Sequence, residues 1–258
     1  MLQGTYTAAL GIGSHQQRID TIANNLANVS TNGYKAVRTD FKDAIYTTMS
    51  RAVQPQDNLN MQKGHGVLVG ATTRQFTQGQ YQETQSDTDL LIEGDGFFRV
   101  QAATGEQYYT RTGNFTRSVE GDGVYLVNQD GLYLLGNDGQ RIRVGNSFQV
   151  HPDGRITEEG SDVVYGQIGL ARFANQEGLL SLSNNLYLPT EASGLPTAVP
   201  LGADTEDTVI HQYAIEGSNV DLGQELSTLV RATRSMQVAS RALSTADEMD
   251  GTANSIRR

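Results

Sequence analysis

Several absences narrow what this chain of 258 residues can be. There is no cysteine, which excludes disulfide staples and thiolate metal sites. There is no tryptophan, and only 37% of residues are hydrophobic while 28 are glycine. That mixture suits a turn-rich β structure better than a compact helical enzyme. No apolar run approaches the ~18 residues of a membrane-spanning helix, so direct membrane insertion is not expected. Met1-Leu2-Gln3-Gly4-Thr5-Tyr6 has neither a basic nor an apolar leader region, which predicts export, if any, without a cleavable Sec-type signal. Cations are scarce too. Nineteen Lys and Arg stand against 29 Asp and Glu, a net charge of −10 that argues against a nucleic-acid partner.

Catalytic patterns are also missing. The sequence contains no zinc-protease, nucleophile-elbow or P-loop motif. His15, His65, His151 and His211 are scattered without ligand spacing. Gly94-Asp95-Gly96 begins like a dinucleotide fingerprint but continues Phe97-Phe98-Arg99, so it reads as a β-turn. Glu93-Gly94-Asp95-Gly96 and Glu120-Gly121-Asp122-Gly123 share one spelling, yet lack the alternating ligands of a calcium loop. The expectation is a chain that is not an enzyme, with no cofactor, no metal and no small-molecule substrate.

What is present falls into segments. Residues 1–45 carry four basic and three acidic groups, and 220–258 five of each, while 46–219 carry 10 against 21. The acidity belongs to the middle and the two ends are neutral, as buried termini would require. Ile12, Ile19 and Leu26 recur every seventh residue, with Ile22 and Val29 interleaved, which predicts a first helix ending near Ser30-Thr31-Asn32-Gly33. Leu222, Leu229, Met236 and Leu243 form a second heptad column, with Ala232, Ala239, Ala246 and Ala253 three residues on. Alternating 3 and 4 spacing is a coiled-coil pattern, and alanine lets helices approach closely. Glu225 and Asp250 interrupt that seam, and Asn219 or Asp221 could cap its helix. Between the helices, strand-length apolar runs alternate with Asp-Gly pairs at 95–96, 122–123, 130–131, 138–139 and 153–154, which predicts successive hairpins. Tyr125 and Tyr133 flank one of these turns as a candidate cross-strand pair.

Three stretches, in order, resemble one family. Asn24-Asn25-Leu26-Ala27-Asn28-Val29-Ser30-Thr31-Asn32-Gly33-Tyr34-Lys35 resembles the N-terminal signature of flagellar rod and hook axial proteins. Gly94-Asp95-Gly96-Phe97-Phe98 with Tyr109-Thr110-Arg111-Thr112-Gly113-Asn114-Phe115 resembles their central motif, and Glu216-Gly217-Ser218-Asn219-Val220 their C-terminal one. The resemblance implies a structural subunit of the flagellar rod, a drive shaft that polymerises helically with itself. It also implies contact with neighbouring rod and hook subunits, with the type III export apparatus and with surrounding ring proteins, in a basal body that crosses the cell envelope. The length of 46–80 favours the distal branch of the family over proximal and hook–basal-body branches. The alternative is a cell-surface β-domain binding module oligomerised by terminal helices.

The expected fold is a mainly β central domain with long N- and C-terminal α-helices forming a coiled-coil-like inner layer. Its expected divisions are 1–45 (N-terminal helix and junction), 46–80 (extended linker with one hairpin), 81–215 (β-rich outer domain) and 216–258 (C-terminal helix). The candidate polymerisation interface is Ile12, Ile19, Ile22, Asn24, Asn25, Leu26, Asn28, Val29, Gly33 and Tyr34 from the first end. From the second it takes Asn219, Val220, Leu222, Leu229, Ala232, Met236, Ala239, Leu243 and Ala246. Gly33, just past a helix end, is expected to adopt positive φ, and Gly33→Val to disturb assembly more than the β domain.

Overall fold

The computed structural model describes residues 2–50, 61–121, 123–145, 147–158, 160, 163–201 and 208–256. Pro55 and its neighbours in the expected linker, Asp122 of the second acidic glycine turn, and the last two arginines lie outside the described residues. The chain is mainly β, with one long helix toward each end, and it divides into two compact units.

The first unit gathers 1–27, 37–74 and 221–258. It holds α1 (Leu2–Ala27), β1 (Val37–Asp43), β2 (Tyr46–Ser50), β3 (Met61–Gly64), β4 (Val67–Arg74) and α2 (Leu222–Ile256). The described residues of 37–74 form antiparallel pairs, β1 on β4 from Val37↔Arg74 to Asp43↔Val67, and β2 on β3 beyond them. The segment 46–80 is expected as extended connection with one hairpin, and most of its described part lies in β2, β3 and β4, so the hairpin is present and the extended connection is shorter than expected. The sequence hides the strands because Gln, Thr and Gly dilute the alternation that marks a half-buried strand.

α1 and α2 pack against each other within the chain. The heptad residues are the ones drawn from solvent. Ala232 is buried, and Leu229, Met236, Ala239, Leu243, Ala246 and Ala253 are half-buried at the same 3 and 4 spacing. Leu222 departs from expectation: it is 49% exposed, and the buried stripe begins at Glu225 instead. On α1, Ile22 is buried, and Ile12, Ile19 and Leu26 are half-buried. Asp221 is the cap of α2, its Oδ1 accepting the N–H groups of Gly223 at 2.8 Å and Gln224 at 3.0 Å, as an N-cap side chain should.

A second face of α1, with no apolar periodicity to announce it, lies on the hairpin. Ser14 Oγ donates to the Val67 carbonyl at 3.2 Å, and Thr39 Oγ1 to Thr21 Oγ1 at 2.9 Å. His15 meets the Phe41 ring edge-on at 6.1 Å, and the Arg18 guanidinium lies 5.6 Å from the same ring's centroid. His15 is therefore a packing residue.

The second unit gathers 28–36 and 75–220. Its strands run β5 (Tyr81–Glu83), β6 (Leu90–Gly94), β7 (Phe97–Gln101), β8 (Gln107–Thr110), β9 (Thr116–Glu120), β10 (Gly123–Val127), β11 (Tyr133–Leu134) and β12 (Arg143–Val144). They continue as β13 (Phe148–Val150), β14 (Arg155–Glu158), β15 (Val164–Gln167), β16 (Leu170–Arg172), β17 (Leu180–Ser181), β18 (Leu186–Leu188), β19 (Thr197–Ala198), β20 (Thr208–Gln212) and β21 (Ala214–Glu216). The main sheet runs β12-β10-β11-β7-β8-β18-β17, with β16 also on β7. Successive strand residues point to opposite faces, so Phe97 and Phe98 serve two cores. Phe98 packs edge-on to Phe115 at 5.3 Å in the larger core with Leu90, Leu126 and Leu134. Phe97 meets Phe173 at 5.7 Å and Tyr187 at 5.6 Å in the smaller one.

The Asp-Gly pairs behave as turn chemistry requires at Gly131, Gly139 and Gly154, with φ of 74°, 77° and 75°. Tyr125 and Tyr133 stack edge-to-face at 5.9 Å, each with an arginine over its ring.

Because Ala232 is 3% exposed and lies on the stripe between paired helices, Ala232→Leu is expected to overpack the helical unit at ~1–3 kcal/mol. Ser235→Leu, on the exposed side of α2, is expected to change it by less than ~0.5 kcal/mol. Denaturant melts followed by helical circular dichroism compare the two, and equal effects would contradict a close-packed seam.

Candidate assembly site and its polar junction

The residues of the three motifs are mostly polar, and their side chains turn that polarity on backbone. Within the helical unit, Asn25 is 2% exposed. Its Nδ2 donates to the Val37 carbonyl at 2.8 Å while its Oδ1 accepts the Val37 N–H at 2.9 Å. One side-chain amide thus satisfies both backbone groups at the start of β1, as a neighbouring strand would. The same Nδ2 reaches Glu225 Oε1 at 3.1 Å. Glu225, the residue that interrupts the apolar seam, is the acceptor that Asn25 uses.

Within the β unit, the chain after α1 turns through Thr31, whose N–H donates to the Asn28 carbonyl at 3.1 Å and whose Oγ1 meets Asn28 Oδ1 at 3.1 Å. These local bonds compete with helix continuation, so Val29 lies past α1 and packs with Tyr34, Ala36 and Val220. Gly33 has φ of 66°, as expected, and its N–H donates to the Glu216 carbonyl at 2.7 Å. A Cβ there would sit 2.7 Å from Thr112 Cγ2 and 3.0 Å from Thr112 N. Gly33 is thus built into the β unit, so Gly33→Val is expected to strain that unit as well as any assembly contact.

Around Gly33 the buried charges gather. Lys35 Nζ donates to Glu216 Oε1 at 2.6 Å and to the Thr77 carbonyl at 2.7 Å. Glu216 Oε1 also accepts the Gly79 N–H at 2.7 Å. Arg111 places Nη1 3.8 Å from Glu216 Oε2 and donates through Nη2 to the Gly94 carbonyl at 2.7 Å. Side-chain exposure is 0% for Lys35, 1% for Glu216 and 2% for Arg111. Burial pushes the Lys35 ammonium below its ordinary value, Glu216 pulls it back up, and Arg111 lowers it further. Burial likewise lowers the Arg111 value against the pull of Glu216. Two cations share one carboxylate, and the Thr77, Ile92 and Gly94 carbonyls accept further donors, while Arg111 Nε and Glu216 Oε2 are buried without a hydrogen bond.

Asn219 closes the junction. Its Oδ1 accepts the Ala36 N–H at 2.7 Å and its Nδ2 donates to the Gln75 carbonyl at 2.9 Å. It is a strand tie and not the helix cap. Close backbone approach explains Gly113, whose added Cβ would lie 1.5 Å from the Leu90 carbonyl oxygen, and Gly79, at 2.0 Å from that of Gly217. Of the remaining expected interface residues, Tyr34 and Val220 are buried, Asn28 is half-buried and Asn24 is exposed. Sequence reasoning missed Lys35, Thr77, Gly79, Arg111 and Glu216 as one cluster. Lys35, Arg111 and Glu216 stood in quoted motifs, but no spacing links 35, 111 and 216. Among the described residues no group of three or more His, Asp or Glu is placed to hold a metal ion.

The family described as "Flagella basal body rod protein" matches residues 6–35, "Flagellar hook protein FlgE/F/G D1 domain" matches 91–176, and "Flagellar basal body rod FlgEFG protein C-terminal" matches 211–256. The "Flagellar basal-body rod protein FlgG" of Borreliella burgdorferi is 36% identical over all of both chains. The chain belongs to the flagellar basal-body rod protein family. The protein of the same description from Caulobacter vibrioides is 34% identical over 96% of this chain and 97% of its own. Bacillus subtilis supplies two relatives, a rod protein FlgG at 33% identity over 96% of this chain and 97% of its own, and a "Flagellar hook-basal body complex protein FlhP" at 26% over both chains. Each of the three family segments contributes one member of the buried cluster: Lys35 from the first, Arg111 from the second and Glu216 from the third.

The charge arrangement predicts an asymmetry. Glu216→Gln leaves two buried cations without a counterion and is expected to cost the β unit ~3–5 kcal/mol. Lys35→Met leaves the Arg111–Glu216 pair balanced and is expected to cost less, ~1–3 kcal/mol for lost hydrogen bonds. Denaturant melts read through the tyrosine near-UV signal test the order, and a milder Glu216→Gln would contradict it.

Proposed function

We infer that this rod-family chain is a structural subunit of the flagellar rod in the basal body, polymerising helically and transmitting torque from motor to hook. The observation that carries the reading is full-length similarity to rod proteins combined with a buried cluster assembled from all three family segments. The greater identity to the FlgG relative than to the hook–basal-body relative of the same organism supports the distal branch. A cell-surface binding module is not favoured.

In this reading the two helices form a coiled-coil-like inner layer of a tube and the β unit (81–215, with the junction) lies outward. The helical pairing and its exposed flanks support that role: α2 has a single fully buried residue, Ala232, along its 35 residues. A helix so lightly buried draws stability from tertiary partners, and copies of the chain supply them. The expected interface residues on α1, α2 and the Asn24–Tyr34 turn would then act partly by shaping each subunit and partly by meeting its neighbours. The subunit would leave the cell through the flagellar export apparatus, cross the envelope, touch ring proteins and perform no catalysis.

Full-length chain supplied to a strain whose own distal-rod gene is deleted tests this. Rods and hooks in purified basal bodies, with swimming restored, are the expected result. Normal expression and export without rod extension would contradict it.

A further inference from the structure

On the helical unit, α1 and β4 leave an open groove of about 420 Å³ lined by Tyr6, Leu10, Gly13, Leu68 and Val69 among others, with no charged residue in its lining. Tyr6 is 61% exposed and Leu68 46% exposed, so apolar surface is left in water. Gly13 makes the groove more pointed. It lies inside a helix, where glycine is the poorest former after proline, yet an added Cβ would meet nothing within 4 Å in this chain. Nothing within the subunit requires the missing side chain.

The same unit carries a matching ridge. Leu222, Leu226 and Val230 fall on one row of α2 at fourfold spacing and are 49%, 44% and 48% exposed, with the exposed Arg234 next on the row. Rows of this spacing are the ridges that seat in grooves when helices pack. The row lies to one side of the stripe that α2 gives to α1, so intrachain packing does not consume it. The Leu222–Val230 part of the row is apolar and convex, and the groove is uncharged and concave, with Ser14 and Gln17 as its polar lining.

We propose that the groove between α1 and β4 receives the Leu226–Val230 ridge of α2 from a second copy of this chain, with Gly13 as the point of closest approach. This rests on the reading as a self-assembling rod subunit and adds which surfaces meet. Groove and ridge are different patches, so the contact is head-to-tail, and such contacts propagate into open helical filaments unless the rotation closes a ring. The acidic β unit need not take part, which leaves the neutral helices to make the axial contact.

Charge swapping in the full-length chain tests the contact. Val230→Lys and Gly13→Glu alone should each put an unpaired charge in the apolar contact and reduce rod-bearing basal bodies by at least about tenfold. Neither should lower the helical circular dichroism or the melting temperature of the purified subunit, since Gly13 faces open space and Val230 is half exposed. The double variant, in which the introduced ammonium of one copy meets the introduced carboxylate of the next, should recover assembly over either single. Singles that assemble like wild type, or a double no better than the singles, would overturn the docking while wild-type complementation still upheld the rod reading. A wild-type chain that restores no rods would overturn both.

Discussion

The carboxylate of Glu216 is the constraint on which the β unit's organisation turns. It lies out of water, 2.6 Å from the Lys35 ammonium and 3.8 Å from the Arg111 guanidinium. A buried ion must be matched by hydrogen-bonded partners, because an unpaired one costs several kcal/mol. Its partners come from stretches that are remote in sequence, and the backbone of the same residue accepts the Gly33 N–H. The chain arriving from α1 and the chain departing toward α2 are thereby fixed side by side within one unit. A hydrophobic cluster could supply comparable stability, but not the register that directed donors and a single acceptor impose.

Asn25 applies the same logic in the helical unit. Its amide occupies both backbone groups of Val37, and its third bond goes to Glu225, two hundred residues on. What looks like a fault in the α2 heptad is a polar partner for a buried amide. The glycines follow from the same crowding. Gly33, Gly79 and Gly113 stand where backbone runs against backbone, and any side chain would push the strands apart.

Sequence reasoning made the two helices, their apolar stripes, the turn glycines and the tyrosine pair legible, because each is a local or periodic signal. The strand-length apolar runs at β6, β7, β10 and β11 were similarly readable. The full extent of the hairpin from Val37 to Arg74 was not, since one of its faces meets α1 through Ser14, His15, Arg18 and Thr21, a stripe without apolar periodicity. The buried cluster was the least legible part. Lys35 and Glu216 each read as an ordinary charged residue, and only the fold closes the 181 positions between them. Family motifs marked the right residues without giving their reason. The structure supplies it: they satisfy backbone and each other at one junction.

That the junction is as firmly held as the apolar core is the central claim, and native-state hydrogen exchange measures it residue by residue. The amides of Gly33, Ala36 and Gly79 donate to the Glu216 carbonyl, the Asn219 side chain and the Glu216 carboxylate. They should exchange in the slowest class, together with the amides of β7 and β8. Exchange of those three at loop rates, while β7 and β8 stay protected, would contradict the account.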